Sequence, residues 1–234
     1  MRMINAIIIP LVKGGAWVLP FWLGLLACFF TACSTTKNLP EGEILYTGID
    51  KLEVLNEDET PAGVTALTEV EAALAYAPNN AIFGCSTMRW PFPVGLWVYN
   101  DFVKYQDKKG IGRWIFDHLG TQPVLMSSVN GETRAKVATN LLRDYGYFNG
   151  SVSYQEVPQK EPKTAKVSYI IDMAKPYYLD SIAYLRYPYV ADSLIHATRQ
   201  ESVLKSGENF SVIKLEEERQ RLSTLFRNHG YYYF

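Results

Sequence analysis

A chain of 234 residues, 48% apolar and 20% charged, is long enough for one or two domains and too apolar to be a disordered one. Its 23 basic and 24 acidic residues leave a formal net charge of −1, which argues against the basic surplus that an electrostatic nucleic-acid footprint requires. No nucleic acid is therefore expected among its partners.

The first 33 residues differ from the rest. Arg2 and Lys13 precede an uncharged run over 14–33, rich in Leu, Phe, Trp and Ala, which reads as the charged head and apolar core of an export signal over 1–32. The run closes on Phe30-Thr31-Ala32-Cys33-Ser34. This is similar to the lipobox of bacterial lipoproteins, and the resemblance implies cleavage before Cys33 and diacylation of its sulfur. Leu25-Leu26-Ala27-Cys28 is a rival lipobox. Cleavage there would leave Phe29 and Phe30 in the tether, whereas polar Ser34-Thr35-Thr36-Lys37-Asn38 suits a flexible tether over 33–42. An uncleaved spanning anchor is the alternative, since about 20 apolar residues cross a bilayer. With Cys33 acylated and Cys28 removed, Cys85 is the remaining thiol and no intrachain disulfide is expected.

Beyond Pro40-Glu41-Gly42, Tyr46, Ile49, Leu52, Val54 and Leu55 predict a strand over 46–55 with an irregularity at Gly48. The run 57–61 reads as a turn. Thr68 with Glu71 three residues on matches a capping box, predicting a helix to about Ala77, before Pro78. Residues 79–129 are the least regular part, an insertion mixing aromatics with helix breakers around Trp90-Pro91-Phe92-Pro93. Its aromatics either fold back on the core or form an exposed amphipathic surface for lipid or a partner. Trp114-Ile115-Phe116 and Gly120 predict a short capped helix.

A helix over 131–148 follows, in which Val137, Leu141, Tyr145 and Phe148 share helical spacing. Gly146 then supplies the left-handed backbone that ends a helix. Strands over 151–157 and 166–173 are joined by the polar loop 158–164, and Val167, Tyr169 and Ile171 fall on one side. A second unit begins at Lys175-Pro176: a strand over 177–185, a helix opening at Asp192, and a helix after Ser211 with Leu215, Leu222, Leu225 and Phe226 as its buried face. Residues 216–221 are read as the solvated side of that helix. Gly230 closes it, and an aromatic strand is expected to start.

The two helix ends are the same text. Leu141-Leu142-Arg143-Asp144-Tyr145-Gly146-Tyr147-Phe148 returns as Leu225-Phe226-Arg227-Asn228-His229-Gly230-Tyr231-Tyr232. Recurrence at domain spacing marks tandem modules, with Leu142, Arg143, Gly146, Tyr147, Phe148, Arg227, Gly230 and Tyr231 as structural motif residues. The second copy stops two residues after Tyr232, so the chain reads as cut within a module.

The order strand, helix, helix, strand, strand, the helix ending in Leu-Arg-x-x-Gly-Tyr-Phe, and Lys205-Ser206-Gly207-Glu208-Asn209-Phe210-Ser211 between the later helices resemble POTRA domains. These precede the barrel of the BamA/TamA superfamily of outer-membrane assembly factors. With the lipobox, the start at Asn38-Leu39-Pro40-Glu41-Gly42 and the aromatic insertion, the chain is similar to the lipidated TamA-like (TamL) branch of Bacteroidetes. The resemblance implies an α+β fold of two tandem modules, the first over 43–174 with its insertion and the second, incomplete, over 175–234. It further implies an outer-membrane lipoprotein with its modules in the periplasm. The implied partners are unfolded outer-membrane proteins or assembly partners, bound by strand addition at exposed sheet edges. No cofactor and no metal are expected.

Two other classes stay open beside this one. A lipid-anchored envelope scaffold without a barrel fits the same residues. An enzyme is disfavoured: there is no HExxH, GxxxxGK[ST], GxSxG or CxxC, and His118, His196 and His229 are scattered. Cys85 has no His that sequence alone places beside it.

Overall fold

The computed structural model describes residues 35–86, 88–185 and 187–232. Cys28 and Cys33, and with them the expected signal peptide and lipidation site, lie outside the described residues.

The chain is a mixed α+β fold. In chain order the elements are β1 (Leu45–Leu55), α1 (Pro61–Leu74), α2 (Val94–Phe102), α3 (Ile111–Leu119), α4 (Met126–Val129), α5 (Gly131–Asp144), β2 (Ser151–Pro158), β3 (Thr164–Asp172), α6 (Tyr189–Ala197) and α7 (Val212–Asn228). The strands form one sheet in the order β1-β3-β2. β2 and β3 are an antiparallel hairpin, and β1 lies parallel to β3, as a strand reached only through a helical crossover can.

Alternation along β3 buries Val167, Tyr169 and Ile171 on the helix-covered face. They join Val70 and Leu74 of α1 and Ala135, Ala138 and Leu142 of α5 in one core. A separate small cluster holds Ala191 and Ile195 of α6 with Leu222 and Phe226 of α7. By contact, residues 35–38 and Phe92–Gln122 form one compact unit, and the remaining described residues form another.

The strand irregularity expected at Gly48 is present. The register between β1 and β3 shifts between Tyr46 and Ile49, and Gly48 has a φ of +116°.

Several boundaries move. α1 is capped eight residues before Thr68: the Thr60 hydroxyl accepts the Gly63 N–H at 3.1 Å, with Pro61 in the first turn. Proline lacks an N–H that the first turn does not need, so here it opens a helix and does not end a turn. Thr68 lies inside, donating to the Val64 carbonyl, and the helix stops at Leu74.

The buried stripe of α5 is Gly131, Ala135, Ala138 and Leu142, while Val137 is 48% exposed and Phe148 also faces solvent. Helical spacing runs equally well through either stripe. Close approach to the sheet selects the one with small side chains.

Residues 177–185 form no strand. Tyr178 makes a single bridge with Asn209, supported by Phe210 N–H to the Tyr177 carbonyl and Leu179 N–H to Glu208. Tyr231 and Tyr232 are not in a strand either. Leu215, placed by spacing in the buried face of α7, is exposed, whereas Glu218, placed in its solvated face, is 3% exposed. The insertion is more regular than its composition indicates, since it contains α2, α3 and α4.

Candidate partner-binding edge and the repeated helix cap

A three-stranded sheet has two edges, and the chain treats them differently. On β1, the outward carbonyls of Thr47 and Ile49 both accept from the Arg89 guanidinium at 3.2 Å. Leu45 bridges Leu125, and Tyr46 N–H donates to the Val124 carbonyl at 2.8 Å. The Asn79 side chain in turn accepts the Val124 N–H. Gly48 is where Arg89 crosses: a Cβ there would collide with the guanidinium. The first half of this edge, from Leu45 to Ile49, is closed by residues of the insertion, while the outward backbone of Leu52 and Val54 has no partner among the described residues.

The outer edge of β2 is open. Met173 N–H donates to Leu55 on the β1 side, so alternation turns the backbone of residues 164–172 with even numbers toward β2. Their partners are Ser151, Ser153, Gln155 and Val157. The backbone groups of Val152, Tyr154 and Glu156 therefore face away from the sheet. Val152 N–H is taken by the Thr139 hydroxyl at 3.0 Å. Tyr154 and Glu156 have no outward backbone partner among the described residues, and Pro158 offers no N–H at all.

Beside this edge runs a groove of about 600 Å³ between α5 and β2, lined by Ala135, Lys136, Thr139, Arg143, Val152 and Tyr154. Its rim is charged. Lys136 and Glu132 pair at 2.6 Å, an exposed pair in which each partner favours the other's ionised form. The Tyr154 ring lies over Gly131, where a Cβ would sit 2.8 Å from it. A row of unpaired backbone groups flanked by a trough of this kind can accept an extended segment as a fourth strand.

The motif residues lie at helix ends. Gly146 and Gly230 have φ of +91° and +87°. Gly146 N–H donates to Arg143 and Tyr147 N–H to Leu142; Gly230 N–H donates to Arg227 and Tyr231 N–H to Phe226. Both are the two-bond Schellman cap, which satisfies carbonyls the helix leaves unpaired. Leu142 and Tyr147 are fully buried, and Arg143 is exposed on the groove.

Phe148 has a different task. Its ring packs against Tyr177 and Phe210 at 5.3 and 5.0 Å between centroids, and the Gly146 carbonyl accepts the Tyr177 N–H. The first cap is thus also the point where the following segment docks.

Two tyrosine–carboxylate pairs are formed, the first beside the Gly146 cap and the second on α7. Tyr147 donates to Asp58 at 2.6 Å. Burial would raise the Asp58 carboxyl, but this bond and those from Thr60 outweigh it and hold the acid low. Tyr184 donates to Glu218 at 2.6 Å, Val203 N–H donates to the same carboxylate, and Arg221 grips it with two nitrogens. Burial opposes ionisation there too, yet these donors hold the acid at about 2.

Sequence reasoning missed Arg89, Thr139, Arg134 and Glu218. Arg134 donates to the carbonyls of Ala73 and Ala75 and stacks over Tyr76, clasping the end of α1. Nothing local distinguishes these residues from surface polar ones. Besides near neighbours, each has a partner 13 to 61 positions away along the chain.

His118 stacks on Trp114, His229 contacts the Leu225 carbonyl, and Cys85 is exposed. Among the described residues no cluster of His, Cys, Asp or Glu could hold a metal ion.

No protein-family model matches the chain, and no curated protein matches it. Among solved structures, the crystal structure of Haemophilus influenzae BamA POTRA3-5 is similar at 11% identity and a TM-score of 0.29, over 83% of this chain and 89% of that one.

Proposed function

We propose that residues 43–174 and 175–234 belong to two POTRA-like modules from the periplasmic region of an outer-membrane assembly factor of the BamA/TamA type. The chain acts without chemistry. It binds unfolded outer-membrane proteins or assembly partners by adding their strands to the outer edge of β2. Acylated Cys33 holds it at the outer membrane, as in the lipidated TamA-like branch.

The observation that carries this reading is the asymmetry of the sheet. Arg89 and residues 124–126 close the first half of the β1 edge, while Tyr154 and Glu156 keep their backbone groups available beside a groove between α5 and β2. Main-chain pairing of this type is nearly blind to sequence, as a handler of many unfolded clients requires.

Proline tests it without dismantling the sheet, because at an edge it removes only an outward N–H. Tyr154→Pro and Glu156→Pro are expected to weaken binding of a urea-unfolded outer-membrane barrel protein at least tenfold in fluorescence anisotropy, with the far-UV circular dichroism retained. Unchanged binding by both folded variants would exclude strand addition at β2.

A further inference from the structure

The compact unit made of residues 35–38 and Phe92–Gln122 carries an apolar surface that its own packing does not use. α2 and α3 meet through Tyr99 and Phe116, at 5.5 Å between rings, and Gly112 lets α3 approach the Tyr105 ring. Elsewhere on α3, Ile111, Trp114 and Leu119 are 79%, 55% and 54% exposed, with exposed His118 stacked on Trp114 among them. At 100° per residue these three fall within an arc of about 140°. Arg113 and Asp117, paired at 3.1 Å, occupy the opposite side. Exposed Lys104, Lys108 and Lys109 precede the helix, and Lys104 and Lys108 lie over the Tyr105 ring at 5.2 and 5.3 Å.

What covers this face follows from where the chain comes from. Asn38 donates its side-chain amide to the Asn100 carbonyl at 2.7 Å, and Asn100 donates its own to the Thr35 carbonyl at 3.1 Å. Asn100 is buried in α2. The unit is therefore fastened to Thr35, two residues and about 7 Å of extended chain beyond the end of the apolar run 14–33. On the proposed anchoring, whether that run is cleaved to leave acylated Cys33 or stays as a spanning anchor, its end lies at a bilayer surface.

We infer that α3 is an interfacial helix that docks on a phospholipid surface, with Ile111, Trp114 and Leu119 seated among the headgroups and upper acyl chains. The lysines before it meet lipid phosphates. An apolar face with Trp, bordered by Lys, has the chemistry of helices that lie in the membrane plane. An anchor only a few residues away raises the effective concentration of that surface. The insertion thus serves as a foot that adds a second membrane contact to the N-terminal one.

The inference rests on the reading that the N-terminal run holds the chain at a membrane, and one experiment separates the two. Full chain is reconstituted into vesicles of phosphatidylethanolamine and phosphatidylglycerol, with or without brominated acyl chains, and floated on a density gradient. Trp114 emission is taken as the difference between the parent and Trp114→Phe. The expected result is a floating protein whose Trp114 emission falls at least twofold with brominated chains. Combined Ile111→Glu and Leu119→Glu substitutions, at exposed positions that leave folding intact, keep flotation and abolish the quenching. Flotation with unquenched Trp114, or equal quenching in the double variant, overturns the docking surface alone. Failure to float overturns the anchor and the docking surface together.

Discussion

The helices ending at Gly146 and Gly230 close with the same two backbone hydrogen bonds, but they stand on different foundations. The first cap sits on a core that, among the described residues, has sixteen buried members spanning the sheet and three helices. The second sits on four, and its buried position 218 holds an acid. A local motif therefore sets how a helix ends, while the element it packs against sets how much rests on that ending. The first cap is also pinned from outside: a Cβ on Gly146 would come within 2.7 Å of the Phe210 carbonyl, whereas the same atom on Gly230 would meet open space.

Truncation of the core residue under each cap separates the two regions most strongly. Leu142→Ala is expected to cost about 4 kcal/mol, as for other fully buried leucines, and to lower protection throughout β1, β2 and β3 in hydrogen exchange. Phe226→Ala should lower protection in α6 and α7 alone. Loss of sheet protection in Phe226→Ala would show that the two clusters unfold as one.

Glu218→Ala comes next, at about 3 kcal/mol, because it strands the mostly buried Arg221. The same carboxylate makes the second cluster sensitive to acid. Its folded value of about 2 lies below its ordinary 4.5, so its contribution is complete above pH 4.5 and is lost as pH falls toward 2. Exchange in α7 measured across that interval should accelerate more in the parent than in Glu218→Ala.

Gly146→Ala should cost about 2 kcal/mol and Gly230→Ala about 1 kcal/mol in urea melts, since left-handed strain is common to both and the collision with Phe210 belongs to the first. Equal costs would mean that the Phe210 segment yields freely. An effect as small as that of Gly230→Ala is expected for Tyr147→Phe, about 1 kcal/mol. It removes the bond to Asp58 and should bring the Asp58 carboxyl, followed by NMR titration, up toward its ordinary range.

The edges of the sheet make the same point about context. Nothing in the alternation of β1 or β2 says which of them is free. Each edge is closed in part by a distant side chain: β1 by Arg89, 40 residues from Ile49, and β2 at Val152 alone by Thr139, 13 residues away.

What sequence by itself determined is whatever is decided within a few residues. The two glycine caps, the hairpin of β2 and β3, the core side of β3 and the irregularity at Gly48 all follow from backbone sterics and side-chain periodicity. Tertiary structure alone decided which stripe of α5 faces the sheet, which edge Arg89 closes, and that Glu218 is buried. It also decided that 177–185 forms no strand, for a strand exists only if a partner is there to take its hydrogen bonds. Those outcomes depend on groups brought together across tens of residues, and local periodicity carries no record of them.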